Sequence, residues 1–256
     1  MNSDKYFAVS HPSNAGYKTV IAGILIQMFT GCFFLWANIS VYVLSYIYKF
    51  DKHVNQNGIF YVDVALVLLM VFGYQIGTYL LNQKRWSPKT IILLGACIAL
   101  SGIYMSSYAH SLNQFITLYG VFCGIGSGIM YMIPLVCSWE HFPNHRGLVT
   151  GIIIGSVGLG SFFFTQLSTW IVNPHNEQAT IFINYDLSYF EETVADRVPY
   201  MFQLLVYIWG CQLGLAIILI SRPSSQPEKN SISLLEKKEE YNLTSAFACL
   251  HSTRFW

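Results

Sequence analysis

The sequence predicts an all-α membrane protein that crosses the bilayer six times. Of its 256 residues, 54% are apolar and only 11% are charged, whereas soluble domains carry about 25% charged residues. Mean hydropathy is +0.44. A helix needs about 20 apolar residues to span a bilayer. Tracts of at least that length without Asp, Glu, Lys or Arg cover 19–48, 64–83, 90–139, 147–176 and 198–221.

Four of these tracts hold one helix each, and the tract 90–139 is long enough for two, with the fold-back at the polar stretch 108–113. Ser87 followed by Pro88 is typical of a helix start, and Pro199 starts the last helix in the same way. The sequence has no ten-residue alternating segments of the kind that form membrane barrels. The predicted helices are 19–46, 60–81, 89–108, 113–138, 147–171 and 200–220.

Lys and Arg residues orient the helices, because cytoplasmic loops carry an excess of them. With both termini on one side, that side receives 11 of the 14 basic residues and the other side receives Lys49, Lys52 and Arg197. We therefore expect both termini to be cytoplasmic. The predicted regions are a tail at 1–18, the six-helix region at 19–221 and a linker at 222–256.

The composition excludes several classes of function. A net charge of +1 without a dense basic block argues against a nucleic-acid partner. Pro143 lies between His141 and His145 and prevents the helical alignment that a metal would need. A serine protease within the membrane would need a histidine partner for Ser127, and no later helix carries one. We therefore expect no enzymatic activity, no metal and no cofactor, and we expect the lipid bilayer as the main environment.

Glycines recur at four-residue spacing in the predicted helices 4 and 5. Helices in lipid pack closely where small residues meet. Such rows are compatible with static packing, or with the sliding and rocking of helices that a transporter requires. The rows consist of Gly120, Gly124 and Gly128 in helix 4 and of Gly147, Gly151 and Gly155 in helix 5.

Three stretches carry a resemblance to a known family. They are AGILIQMFTGCFFLW at 22–36, GVFCGIGSGIMYMIP at 120–134 and WEHFPNHRGLVTG at 139–151. Together they resemble helices 1, 4 and 5 of the major facilitator superfamily, and most closely its oxalate/formate antiporter-like branch, which is related to the monocarboxylate transporters. That branch carries Gly-x-Gly-x-Gly-x-x-Tyr-x-x-Pro in helix 4, then Trp-Phe-Pro-x-x-Arg-Gly-Leu-x-x-Gly.

This resemblance implies one six-helix half of a twelve-helix fold, with substrate bound between two halves near the midplane. The implied function is secondary-active transport of small organic anions, such as mono- or dicarboxylates, by alternating access. The segment 243–256 resembles the lead into helix 7, so we expect a fragment of a longer transporter. Its partner would be the C-terminal half of the same full-length chain or a second copy. The alternative is a structural or regulatory membrane subunit that does not transport.

The resemblance and the residue types together suggest site residues. Phe34 stands where the branch has a tyrosine, and Asn82 is the nearest residue to an acid that the superfamily carries after helix 2. The alternative role of each cavity candidate is an interhelical hydrogen bond or an interfacial aromatic ring. The cavity candidates are Gln27, Phe34, Trp36, Asn38, Tyr131 and Gln166. The packing and gating candidates are Gly120, Gly124, Gly128, Pro134, Arg146, Gly147, Gly151 and Gly155.

No Lys or Arg lies deep in a predicted helix. A buried anion needs a compensating cation. We therefore expect that these six helices alone do not bind a carboxylate tightly.

Overall fold

A computed structural model describes residues 14–52, 57–179, 181–182 and 188–223. The described residues up to Arg222 form one compact unit. The predicted tail at 1–18 is described from Asn14 onward, and the predicted linker at 222–256 is described only to Pro223. The remainder of both segments lies outside the described residues.

The described part of the chain is built almost entirely from helices. A π-helix covers Ile116–Cys123, a 3-10 helix covers Pro143–His145, and two short antiparallel strands are β1 (Ile181–Phe182) and β2 (Ser188–Tyr189). The α-helices are α1 (Asn14–Thr30), α2 (Cys32–Tyr48), α3 (Asn57–Asn82), α4 (Pro88–Ser106), α5 (Leu112–Phe115), α6 (Gly124–Tyr131), α7 (Ile133–His141), α8 (Arg146–Val172), α9 (Glu192–Ala195) and α10 (Val198–Leu219).

Six segments are long and apolar enough to cross a membrane, which confirms the predicted fold class. The Ser87 hydroxyl accepts a hydrogen bond from the Thr90 amide over 3.2 Å, and Pro88 starts α4 as predicted. Both termini of the described region lie at the same end of the bundle if every segment crosses; we call it the terminal end. Spans 1 to 6 are Asn14–Tyr48, Phe60–Asn82, Pro88–Ser106, Leu112–His141, Pro143–Val172 and Glu192–Leu219.

Spans 1 and 4 each cross as predicted, but both carry a local interruption that the sequence analysis did not include. Span 1 breaks at Gly31, where a Cβ atom would lie 2.5 Å from the Val157 carbonyl oxygen of span 5. Span 4 passes through the π-helix and breaks again at Met132. Pro134 follows that break, and its ring has no N–H to donate to the preceding turn.

Span 4 lies between spans 2 and 3, and its glycines make that possible. A Cβ on Gly124 would lie 2.8 Å from the Leu66 carbonyl oxygen of span 2, and Gly128 lies against the main chain of Gly73. On the other side, a Cβ on Gly126 would lie 2.5 Å from the Gly95 carbonyl oxygen of span 3. These glycines let the backbones touch directly, which is how helices gain packing energy in lipid.

Spans 1 and 5 run parallel and cross closely at glycines. Gly23 lies against Ile153, the Ser156 hydroxyl donates to the Ile24 carbonyl oxygen over 3.2 Å, and Gly160 lies against the main chain of Met28. The contacting residue numbers rise together along both spans, so the two helices point the same way.

The glycine row of span 5 does not make the close helix contact that its four-residue spacing suggests. A Cβ atom built on Gly147, Gly151, Gly155 or Gly158 would meet no atom of the described residues within 4 Å. The row of span 4 packs on span 2 instead, because spans 2 and 3 occupy both of its sides. We call the unpacked set the span 5 glycine face; it consists of Gly147, Gly151, Gly155 and Gly158.

Two ion pairs tie span 6 and its preceding loop to the other spans. At the terminal end, the Arg222 Nε atom donates to Oε2 of Glu140 over 2.8 Å, which joins the end of span 6 to the end of span 4. At the opposite end, the Lys49 Nζ atom donates to Oδ1 of Asp196 over 2.5 Å. These two contacts hold the long connection between spans 5 and 6 and the last helix on the bundle.

Candidate functional site

Gln27 is fully buried between spans 1 and 4, and its side-chain amide is held from both sides. Its Nε2 atom donates to the Tyr131 carbonyl oxygen over 3.1 Å. Its Oε1 atom accepts a hydrogen bond from the Thr30 hydroxyl over 2.7 Å. The Tyr131 carbonyl lies at the break before Pro134, so Gln27 stabilises the interruption of span 4. In this structure its amide belongs to an interhelical hydrogen bond, the alternative considered from the sequence.

Trp36 is also fully buried, and it lies within an aromatic cluster rather than at an open surface. Its ring stacks on Phe115 with centroids 5.3 Å apart and packs on Tyr119 at 5.7 Å. Phe202 of span 6 completes the cluster at 5.7 Å from Tyr119. Removing this indole would leave a cavity in the core, with a cost of about 3–5 kcal/mol. The structure therefore gives Trp36 a packing role.

Phe34, Asn38 and Gln166 are exposed on the half-bundle. Asn38 follows the Gly31 crossing by seven residues, and Gln166 follows Gly160 by six. At 1.5 Å per residue, both amides lie about 10 Å beyond the crossing of spans 1 and 5. Because these spans are parallel, Asn38 and Gln166 lie at the same depth on neighbouring helices.

Tyr131 is half-buried, and its ring packs on Tyr74 of span 2 with centroids 4.8 Å apart. Gln27, which contacts Tyr131, precedes Gly31 by four residues. Tyr131 thus lies about 6 Å from the crossing on the side of the terminal end, and about 16 Å along the bundle from Asn38. The structure does not bring Tyr131 together with Asn38 and Gln166, so the candidates form two layers.

Among the residues that the structure describes, none places a positive charge in the interior of the bundle to oppose an anion. The basic residues that the structure describes lie at span ends or in loops: Lys18, Lys49, Lys52, Lys84, Arg85, Lys89, Arg146, Arg197 and Arg222. Arg146 is exposed at the start of α8, where its carbonyl oxygen accepts from the Thr150 hydroxyl over 2.7 Å. No three His, Cys, Asp or Glu side chains among the described residues come together as metal ligands.

Sequence reasoning missed several residues around these candidates. Tyr74 contacts Tyr131, and Thr30 holds Gln27 in place. The Sγ atoms of Cys32 and Cys123 lie 3.9 Å apart, at the two points where spans 1 and 4 change their helical form. A glycine in the middle of a charge-free tract, Gly31, was the available signal for the break in span 1.

Comparison with known proteins gives concordant matches. The sequence profile of the Nodulin-like family matches residues 17–189. Apicoplast pyruvate carrier 1 of Toxoplasma gondii is 26% identical in an alignment 254 positions long, which covers 83% of this chain and 46% of that protein. Monocarboxylate transporter 13 of Rattus norvegicus is 28% identical over 109 residues, which cover 43% of this chain and 25% of that protein.

The structure is similar to the inward open conformation of the xylose transporter XylE from E. coli, with a TM-score of 0.58. The match covers 94% of this chain and 57% of XylE at 13% sequence identity, so it speaks for the fold alone. The chain spans about half the length, or less, of the relatives that it matches. Six spans with this fold correspond to one half of a major facilitator transporter.

Proposed function

The chain belongs to the Nodulin-like family, and from this premise we propose that it acts as one six-helix half of a secondary-active transporter for small carboxylates. Its relatives include a pyruvate carrier and monocarboxylate transporters, which supports a transporter rather than an enzyme. The observation that carries the half-transporter proposal is the span 5 glycine face, against which nothing packs among the described residues.

A glycine row destabilises its own helix unless another helix packs closely against it. Glycine weakens a helix interior by about 1 kcal/mol relative to alanine, and close helix contact in lipid is what offsets that cost. Inside the described bundle, the glycines of span 4 have such contacts, and so does Gly160 of span 5, but the four glycines of the span 5 glycine face do not. We therefore infer that a second six-helix unit approaches span 5, from a longer form of the chain or from a second copy.

The charge distribution supports the same requirement. A carboxylate moved away from water needs a cation and hydrogen-bond donors. The exposed amides of Asn38 and Gln166 in one layer and the Tyr131 hydroxyl in the other supply uncharged groups only, and Phe34, one helical turn before Asn38, supplies an apolar ring. The cation must then come from the second unit. Substrate would lie between the units near the midplane, as in other transporters built from repeats.

Transport in this scheme follows alternating access. The proposed orientation places both termini in the cytoplasm, so Arg146 lies at the cytoplasmic mouth between spans 4 and 5. Its exposed guanidinium makes no ion pair with the described residues, and it is therefore available to the second unit. We propose Arg146 as a gating residue and the span 5 glycine face as the surface that rocks on the second unit.

The substrate class is tested in vesicles that hold the chain extended by a second six-helix half. We expect saturable uptake of labelled pyruvate, competition by unlabelled lactate, oxalate or formate, and none by xylose. Tyr131→Phe should raise KM by up to about tenfold through loss of one hydrogen bond, whereas the matched Tyr200→Phe on span 6 should not. Arg146→Ala should lower the rate at saturating substrate. Equal competition by xylose would contradict the proposed substrate class.

A further inference from the structure

A groove opens between spans 3 and 4 at the end of the bundle opposite the termini. Its volume is about 620 Å³, and it is lined by Met105, Tyr108, Asn113, Gln114, Thr117 and Leu118. This volume falls within the range of sites for small organic ligands, about 300–1,000 Å³. The groove is separate from the span 5 glycine face, because none of its lining residues belongs to span 1, 2 or 5.

The wall from span 4 begins in an irregular segment. Thr117 and Leu118 belong to the π-helix, and Asn113 and Gln114 to the short α5 before it. Within the π-helix, Tyr119 points into the core against Trp36, while Thr117 is exposed. π-Helical turns are rare and occur frequently at functional sites. The irregular backbone is thus a second feature of this groove, independent of its volume.

The polar side chains that line the groove are all uncharged, and its two amides, Asn113 and Gln114, are adjacent in the chain. The Gln114 Oε1 atom accepts from the His110 amide over 3.2 Å, which leaves its Nε2 atom without a partner in the described structure. The Asn113 amide likewise makes no side-chain hydrogen bond to the described residues. Met105 and Leu118 supply the apolar part. A hydroxyl group can donate to Asn113 and accept from Gln114, which a carboxylate or an ammonium cannot do.

The groove lies at the ends of spans 3 and 4, where we expect the bilayer to meet water. Tyr104 lies in the last turn of span 3 and Tyr108 lies just after the span, and their hydroxyl oxygens are 3.4 Å apart. The Gln203 amide of span 6 donates to the Tyr108 hydroxyl over 3.2 Å. Exposed tyrosines at span ends are typical of the interfacial belt. An occupant would therefore keep its head at the interface and its body along the apolar wall.

We propose that this groove binds a membrane lipid whose head is a single uncharged hydroxyl group, such as a sterol. The hydroxyl lies between the amides of Asn113 and Gln114, and the apolar body lies against Met105 and Leu118. An anionic headgroup is disfavoured because no Lys or Arg is among the described residues that line the groove, and phosphate is bound in proteins chiefly by such residues.

The test uses the whole chain in detergent with a diazirine-bearing cholesterol analogue and peptide mapping after illumination. We expect labelling within 105–118, at least a fivefold loss in the double variant Asn113→Leu with Gln114→Leu, and no loss in Gln75→Leu. Gln75 is an exposed amide on span 2, so its replacement matches the chemistry at another surface. Unlabelled cholesterol should compete, and phosphatidylserine should not.

Gln114→Glu is a second variant that keeps the size of the side chain. It replaces the double variant as the test of lipid binding if the double variant misfolds, that is, if it does not elute as a monodisperse species like the parent. Its charge should lower labelling at least fivefold, because a carboxylate cannot donate to the hydroxyl and is costly to cover with lipid. The proposal would be overturned if either variant were labelled as strongly as the Gln75→Leu control. It would also be overturned if phosphatidylserine competed as strongly as cholesterol.

Discussion

The side-chain amide of Gln27 in span 1 donates to the main-chain carbonyl oxygen of Tyr131 in span 4 over 3.1 Å. The two residues meet where span 4 is interrupted before Pro134. In water such a carbonyl would be hydrated, but within a bilayer it must be satisfied by protein. Gln27 therefore satisfies the carbonyl group at the break in span 4, which lipid could not do. The Thr30 hydroxyl donates to the Gln27 side chain and fixes its orientation.

Replacing Gln27 with Leu should destabilise the chain. The Tyr131 carbonyl would lose its interhelical donor and the Thr30 hydroxyl its side-chain acceptor, at a cost of about 1–3 kcal/mol. Thermal unfolding in detergent measures this, with Gln166→Leu as the control, because Gln166 is exposed. An unchanged melting temperature for Gln27→Leu would show that the hydrogen bond contributes nothing.

Leucine at Gly124 and leucine at Gly151 should differ sharply in the 256-residue chain. At Gly124 the side chain would collide with the Leu66 carbonyl of span 2, and overpacking costs about 1–3 kcal/mol or more. At Gly151 a Cβ meets open space, so expression and melting should stay unchanged. In the chain extended by a second half, Gly151→Leu should impair transport. If both variants melted early in the short chain, span 5 would pack on an element of this half.

Alkaline pH should loosen the tie between Lys49 and Asp196. The hydrogen bond to the Asp196 carboxylate raises the pKa of Lys49 above its usual 10.5. A raised lysine pKa stabilises the folded state at lower pH, and this contribution is lost as pH rises through the folded-state pKa. Between pH of about 9 and 11.5, the melting temperature should fall further in the parent than in Lys49→Met. The difference is small, since exposed pairs contribute about 0.2–1 kcal/mol; parallel curves would contradict it.

The orientation inferred from basic residues can be tested at described positions. Cysteines placed at Lys84, between spans 2 and 3, and at Glu177, after span 5, should react with an impermeant reagent from opposite sides of the membrane. The native cysteines are first replaced. In whole cells only the cysteine at position 177 should be labelled. Labelling of both positions from one side would refute the arrangement of six spans.

The number of spans, their approximate bounds and the N-cap at Ser87 could be predicted because charge-free length and local capping depend on nearby residues alone. The breaks could not. Span 1 is interrupted at Gly31, where span 5 approaches the backbone in a contact between residues 126 positions apart. The local sequence around Gly31 does not encode the approach of span 5. Pro134 was visible in the sequence, but the hydrogen bond from Gln27 that accommodates it was not.

The candidate site likewise combines features that the sequence predicted with features that depend on how the helices pack. Motif resemblance selected Gln27, Trp36 and Tyr131 on helices that do meet, yet Gln27 and Trp36 lie beneath the surface. Which face of a transmembrane helix points inward is not marked by polarity, since core and lipid are both apolar. The rows of glycine looked equivalent in sequence, and only the packing of spans 2 and 3 on span 4 distinguishes them from the span 5 glycine face.

We propose that these six spans require a second six-helix unit to move carboxylates. Labelled pyruvate exchange is therefore compared in vesicles holding residues 1–256 alone and in vesicles holding the extended chain, at equal protein and with cross-linking to detect paired copies. We expect no saturable exchange from residues 1–256 as monomers, and saturable exchange once a second unit is present. Saturable exchange by 256-residue chains that cross-linking shows to be monomeric would contradict the account.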